Sequence, residues 1–201
     1  ASPDVHIDND QQIIRMYYHS PIDQPRQQRT RVATSHDGIN FSARPEILGA
    51  PYLRVLYWDG FYYAVGMPGI FYRSSDPLSG FVEGPTLFGS DQRHVALLKD
   101  GDTLNIFHTF VGDEPESILL SRVDVSGDWM SWNASESQVL LKPERSYEGG
   151  YKVLEPSKRG PINERVMQLR DPAIFKEDGK IYLFYVVAGE QGIALAKIFN
   201  C

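Results

Sequence analysis

The sequence predicts an all-β fold made of four-stranded antiparallel sheets repeated about an axis, and three observations predict it. Aromatic and β-branched residues come in short runs broken by Gly, Pro, Asn and Asp, and no window of 12 or more residues keeps a helical period. A hairpin unit recurs four times. A third extended run follows each hairpin, and after three of them a polar turn leads to an aromatic residue and a further extended segment. Four-stranded sheets repeated in order are the blades of a β-propeller. A sandwich, the other all-β solution, would not need the same hairpin, third strand and turn to recur.

In the first unit Pro3-Asp4-Val5-His6-Ile7 turns at Asn9-Asp10 and returns as Ile13 to Tyr18. In the second, Leu53 to Trp58 turns at Asp59-Gly60 and returns as Phe61 to Val65. The third runs from His94 to Leu98, turns near Asp100-Gly101 and returns as Leu104 to Phe107. The fourth is Ala173-Ile174-Phe175, Asp178-Gly179 and Ile181 to Tyr185. Asp-Gly pairs between alternating apolar runs favour two-residue hairpin turns, because both positions tolerate positive φ. The third strands are Thr30 to Ser35, Gly69 to Ser74, Ile118 to Val123 and Ile193 to Ile198. The expected blades therefore span about 1–49, 50–90, 91–140 and 170–201 of a single domain, with an insertion at 141–169 rich in Pro, Glu, Lys and Arg. Since the fourth unit stops after its third strand and the first opens on an innermost one, two readings arise, a four-bladed ring that closes imperfectly and a piece of a five-bladed protein without its amino-terminal blade, and the second is the expectation.

The 201 residues are 42% hydrophobic and 12% aromatic, enough for a substantial core. A formal charge of -6 without any basic run excludes a phosphate-tracking groove, so nucleic acid is not an expected partner. No apolar stretch approaches the roughly 20 residues of a membrane helix, and the amino end has no secretory pattern. A soluble chain is expected, with cytoplasmic and secreted locations both open. Cys201 is the single cysteine, which excludes an internal disulfide and a cysteine-based zinc cage.

In a propeller, the leading ends of the innermost strands face one mouth of the central channel. Here those positions hold Asp4, Arg54, Arg93 with His94, and Arg170 with Asp171. Charges at the heads of apolar strands are costly to bury unless paired or facing a ligand pocket. They are therefore read together as a site, against the alternative that a carboxylate and an arginine merely close the channel.

Ala1-Ser2-Pro3-Asp4-Val5 resembles the strand of family 43 glycoside hydrolases that carries an aspartate tuning the acid's pKa. Arg170-Asp171-Pro172 resembles the Arg-Asp-Pro motif of the sucrose-cleaving families 32 and 68, whose aspartate stabilises the transition state. The run from Lys176 to Tyr185 is similar to the core hairpin found throughout this group, families 117 and 130 included. The resemblance implies a five-bladed propeller, a carbohydrate ligand and an inverting mechanism with base, acid and tuner on successive blades. Glycoside cleavage needs two carboxylates across the scissile bond.

The sequence departs from that plan where the acid's Glu-Gly-Pro should follow, since it reads Ala50-Pro51-Tyr52-Leu53-Arg54. Glu83-Gly84-Pro85 has the letters but is read as a turn on an outer edge. Glu148 is the remaining candidate proton donor, set against the alternative of a solvated loop acid. The expected catalytic set is Asp4, Asp171 and Glu148, with Arg54, Arg93, His94, Arg170 and His19 positioning substrate. His94 could also hold a channel cation such as calcium; no cofactor is otherwise expected. A cationic mouth would favour an anionic or strongly hydrogen-bonding sugar. Tyr52, Tyr57, Trp58, Tyr62, Tyr63 and Tyr72 could stack on sugars, though aromatic strands more often build cores and most are expected there. The turn Ser35-His36-Asp37-Gly38-Ile39-Asn40-Phe41 resembles the Asp-box of sialidases, one residue shorter, and is read as structural, and Asn133-Ala134-Ser135 fits a glycosylation acceptor pattern that carries no meaning without a secretory context. The leading expectation is a glycosidase domain, and the second a non-catalytic propeller binding carbohydrate or protein.

Overall fold

The Asp-Gly pairs set the geometry of two hairpins. In the computed structural model, which describes residues 3–22 and 27–199, Asp59 and Gly60 take φ of 50° and 77°, and Asp178 and Gly179 take 49° and 70°. Trp58 thereby faces Phe61 and Glu177 faces Lys180 across two-residue loops. Ala1, Ser2 and Cys201, on which the amino-terminal resemblance and the cysteine reading partly rest, lie outside the described residues.

Four antiparallel sheets result, each in simple sequential order. The first contains β1 (Asp4–Asp8), β2 (Ile13–Pro21), β3 (Gln28–Ser35) and β4 (Ser42–Ala43). The second contains β5 (Arg54–Trp58), β6 (Phe61–Gly66), β7 (Ile70–Ser74) and β8 (Val82–Thr86). The third contains β9 (Gln92–Asp100), β10 (Thr103–Phe110), β11 (Ile118–Asp124) and β12 (Gln138–Leu141). The fourth has three strands, β13 (Arg170–Glu177), β14 (Lys180–Val187) and β15 (Gly192–Ile198). Two one-turn 3-10 helices, Trp129–Ser131 and Ser146–Glu148, are the helical structure among the described residues, and neither could cross a membrane. The chain is all-β, of the β-propeller class. Glu83-Gly84-Pro85 corrects the reading made above: it lies within the outer strand β8, not in a turn.

The strands divide into two units, residues 1–86 and 87–201, each with its own core. In the first, Tyr17, Val32, Leu48, Leu53, Val55 and Tyr72 close on one another between the two sheets. The phenols of Tyr17 and Tyr72 are bonded: Tyr17 donates to the Pro77 carbonyl at 3.0 Å, and Tyr72 accepts the Ala50 N–H at 3.1 Å. The turn at residues 35–41 is held from within, since Asp37 accepts the N–H groups of Ile39 and Asn40 at 2.9 and 2.7 Å. Those bonds keep its carboxyl well below the usual range.

The second unit packs Leu98, Phe107, Ile118, Leu169, Leu183 and Tyr185 between its sheets. Full burial of one such side chain is worth about 1.5–3 kcal/mol. Beside this core His108 is completely buried, its Nε2 3.1 Å from Ser121 Oγ and its ring 4.5 Å from that of Phe88. Burial disfavours the imidazolium and lowers its pKa from 6.5 to about 4. The unfolded chain therefore binds the proton more readily, so stability is complete above the unfolded value and is lost as pH falls from 6.5 toward 4. Urea titrations across that window are expected to show a loss of about 3 kcal/mol from this group. In His108→Gln that part of the slope should vanish.

Candidate functional site

Two strand heads in the second unit are bent by bulges. Along β9, Val95 pairs with His108 and Arg93 with Thr109, so His94 is an extra residue. Along β13, Arg170 pairs with Val186 and Ala173 with Phe184, so Asp171 and Pro172 span what one residue would. His94 and Asp171 take φ of 26° and 46°, a left-handed backbone that costs a residue with a Cβ about 1–3 kcal/mol. Bulges re-aim side chains. These two aim His94 and Asp171 at each other, Nδ1 to Oδ1 at 2.6 Å, with 9% and 23% of the side chains exposed. A carboxylate reachable from solvent and braced by a buried imidazole is the result.

A buried ionic network stands beside this pair. Glu116, wholly buried, accepts from Thr109 Oγ1 at 2.8 Å and lies 3.4 Å from Arg93 Nη1 and 3.2 Å from Arg170 Nε. Arg170 also donates to Gln168 Oε1 at 3.1 and 2.6 Å, to the Gly160 carbonyl at 3.2 Å and to Glu190 at 3.0 Å. Arg93 reaches the Lys158 carbonyl at 3.3 Å. Burial pushes the Glu116 carboxyl up and the Arg93 guanidinium down, and their mutual attraction opposes both effects. Arg93 and Arg170 face Glu116 and Glu190, and His94 faces Asp171, so each cation at these strand heads has a carboxylate partner. Glu116 and Glu190 were not among the candidates. The one available signal was that two strand-head arginines need carboxylate partners.

Glu148 is not a solvated loop acid. It ends a 3-10 turn, is buried, and accepts the N–H groups of Glu144 and Arg145 at 2.9 and 2.8 Å and the Tyr185 hydroxyl at 2.8 Å. Its carboxylate fastens the 141–169 segment to β14, and burial with this acceptor raises the Tyr185 pKa.

In the first unit Asp4 heads β1, where Oδ2 accepts the Val55 N–H at 2.8 Å and lies 2.8 Å from His6 Nε2. Arg54 heads the neighbouring β5 and is partly buried, with Nη1 3.5 Å from the Leu53 carbonyl. His19 is buried near the end of β2, its ring 4.0 Å from that of Tyr52, which has φ of 61°. The structure thus joins His94 to Asp171, and Arg93 to Arg170 through Glu116, while Asp4 joins the backbone next to Arg54. Among the described residues no three His, Cys, Asp or Glu side chains gather in a way that could hold a cation such as calcium.

No protein-family model matches the sequence. Uncharacterized protein R118 of Acanthamoeba polyphaga mimivirus is 36% identical over 219 aligned positions, which take in 100% of this chain and 62% of that protein. The chain thus spans less than two thirds of the curated relative's length. Among solved structures, the alpha-L-arabinanase of Cellvibrio cellulosa complexed with arabinohexaose is similar over 97% of this chain and 72% of its own, at TM-score 0.61 and 13% identity. A thermostable family-43 glycoside hydrolase is similar over 99% and 71%, at TM-score 0.65 and 12% identity. At such identities the likeness is one of fold: this chain has the architecture of glycoside hydrolase propellers.

Proposed function

We propose that the chain belongs to a glycan-hydrolysing propeller of the family 43-like kind and handles a small, neutral carbohydrate at its strand heads. The observation that carries this reading is the His94–Asp171 pair, two adjoining side chains on left-handed, bulged strand heads. Backbone strain of this kind clusters at functional sites. In the reading, Asp171 is the ionised carboxylate that stabilises the transition state or activates water, and His94 fixes its orientation. Arg93 and Arg170 act through Glu116 to hold both strand heads in place. Asp4 keeps the role of a sugar-binding or tuning acid, and Arg54 and His19 that of substrate-positioning groups.

A fifth blade in the longer protein is part of the reading. Support comes from apolar side chains left exposed on the sheets at both chain ends: Val5 and Ile7 in the first unit, and Phe175, Ile193 and Leu195 in the second. The non-catalytic alternative is favoured by one observation, the engagement of Glu148 in three hydrogen bonds, which leaves the proton donor to be found elsewhere.

The test uses the full-length protein, a panel of aryl glycosides and the variant Asp171→Asn. Turnover by the parent and a drop of about 10²–10⁴ in kcat for the variant are expected. Equal kcat in parent and variant would remove Asp171 from the chemistry. Calorimetric binding of an oligosaccharide with no cleavage across the panel would establish the alternative.

A further inference from the structure

A cavity of the first unit lies toward the turn ends of its strands, at the hairpin of β1 and β2. It measures about 530 Å³ and is lined from one sheet by His6, Asp8, Asn9 and Arg15, and from the other by Tyr57 and Tyr62. The lining follows from register. His6 and Arg15 are cross-strand partners on β1 and β2, and Tyr57 and Tyr62 are cross-strand partners on β5 and β6. Each pair therefore projects from one face of its own sheet.

The polar wall is built rather than incidental. Arg15 is buried and is held by Asp8 Oδ2 through Nη1 at 3.0 Å and Nη2 at 2.6 Å. A guanidinium has five N–H donors, so this pairing uses a minority of them. The other wall is aromatic: the Tyr57 ring lies 4.7 Å from that of Tyr62 and tilted 43° to it, and Tyr57 is 63% exposed. Exposing so large a ring beside a polar cavity leaves unused apolar contact area.

We infer that this cavity is a second binding site, for an uncharged sugar ring, with Tyr57 as the stacking platform and Arg15, Asp8 and Asn9 as hydroxyl partners. A cationic ligand is disfavoured because the Tyr62 face already carries the Arg15 guanidinium, 5.8 Å from the ring centroid. An anionic ligand is disfavoured because Asp8 and Asp10 also line the cavity and Asp8 neutralises Arg15. The sugar's apolar C–H face suits the tyrosine and its hydroxyls suit a wall that both donates and accepts. The site uses none of the residues given roles at the strand heads, and it stands whether or not those heads are catalytic.

The test titrates neutral hexasaccharides (arabinohexaose, xylohexaose and mannohexaose) into the full chain by calorimetry and by saturation-transfer NMR. Expected is binding of at least one of them, weakened tenfold or more by Tyr57→Ala and by Tyr57→Leu, with thermal midpoints unchanged because the side chain is exposed. Asp171→Asn is expected to leave this component intact, which separates the cavity from the strand-head site. Three outcomes would overturn the inference: no hexasaccharide bound at millimolar concentration, parent-like affinity in both Tyr57 variants, or binding of choline that depends on Tyr57.

Discussion

Glu116→Ala is expected to lower the stability of the carboxy-terminal unit by about 3–5 kcal/mol, the range for removing one partner of a buried ion pair. The side chain is wholly buried and lies against Arg93 and Arg170, and Arg170 is itself fully inside the protein. Alanine would take from Arg93 the carboxylate it lies against and leave Arg170 with Glu190 alone, two guanidinium groups in a dry space, and would remove the acceptor of the Thr109 hydroxyl at the same moment. Glu116→Gln keeps an acceptor without the charge and should fall between the two. Urea unfolding at neutral pH measures the effect, with the midpoint moving and the slope held constant. A loss under about 1 kcal/mol would mean that the pairing contributes little. Since the same arginines brace β9 and β13, the variant should also loosen the strand heads that carry His94 and Asp171.

Gly149→Ala is expected to cost about 3–5 kcal/mol through two additive faults. Gly149 has φ of 85°, which a side chain rarely adopts, and an added Cβ would lie 2.3 Å from the Val166 carbonyl oxygen. Neither fault can be relieved by rotating a side chain, because the obstacle is backbone. The neighbouring Gly150 is equally confined, with its would-be Cβ 2.5 Å from the Glu144 carbonyl oxygen. Together with the buried Glu148 carboxylate, the two glycines pin the 141–169 segment. Thermal unfolding and limited proteolysis at residues 141–169 report the effect. A variant that melts with the parent and resists cleavage as well would show that the segment tolerates repacking.

The hairpins were legible because turn chemistry is local: Asp59-Gly60 and Asp178-Gly179 need only their own φ to reverse the chain. The charged strand heads were legible because a charge in an apolar strand must find a reason. Partners contributed by loops were not. Glu116 stands in the loop before β11, among Asp113 and Glu114, and nothing in that acidic run marks which carboxylate goes inside. Glu148 sits in a stretch with the composition of a solvated loop, and only the packed backbone around Gly149 and Gly150 shows it to be a fastening. Outer strands are weakly patterned, which is why Glu83-Gly84-Pro85 read as a turn. The bulges left no trace either, because neither left-handed position is glycine.

Those two bulges also govern how the chain can be compared and altered. Each bulge interrupts the alternation of a strand by one residue, so deleting the extra residue would restore regular pairing along β9 or β13 and remove the bend that aims His94 or Asp171. Relatives that are one residue shorter at either place will have lost the pairing of imidazole with carboxylate, however similar their letters. An alignment that keeps both extra residues ungapped is the one in which ancestry at this site can be traced.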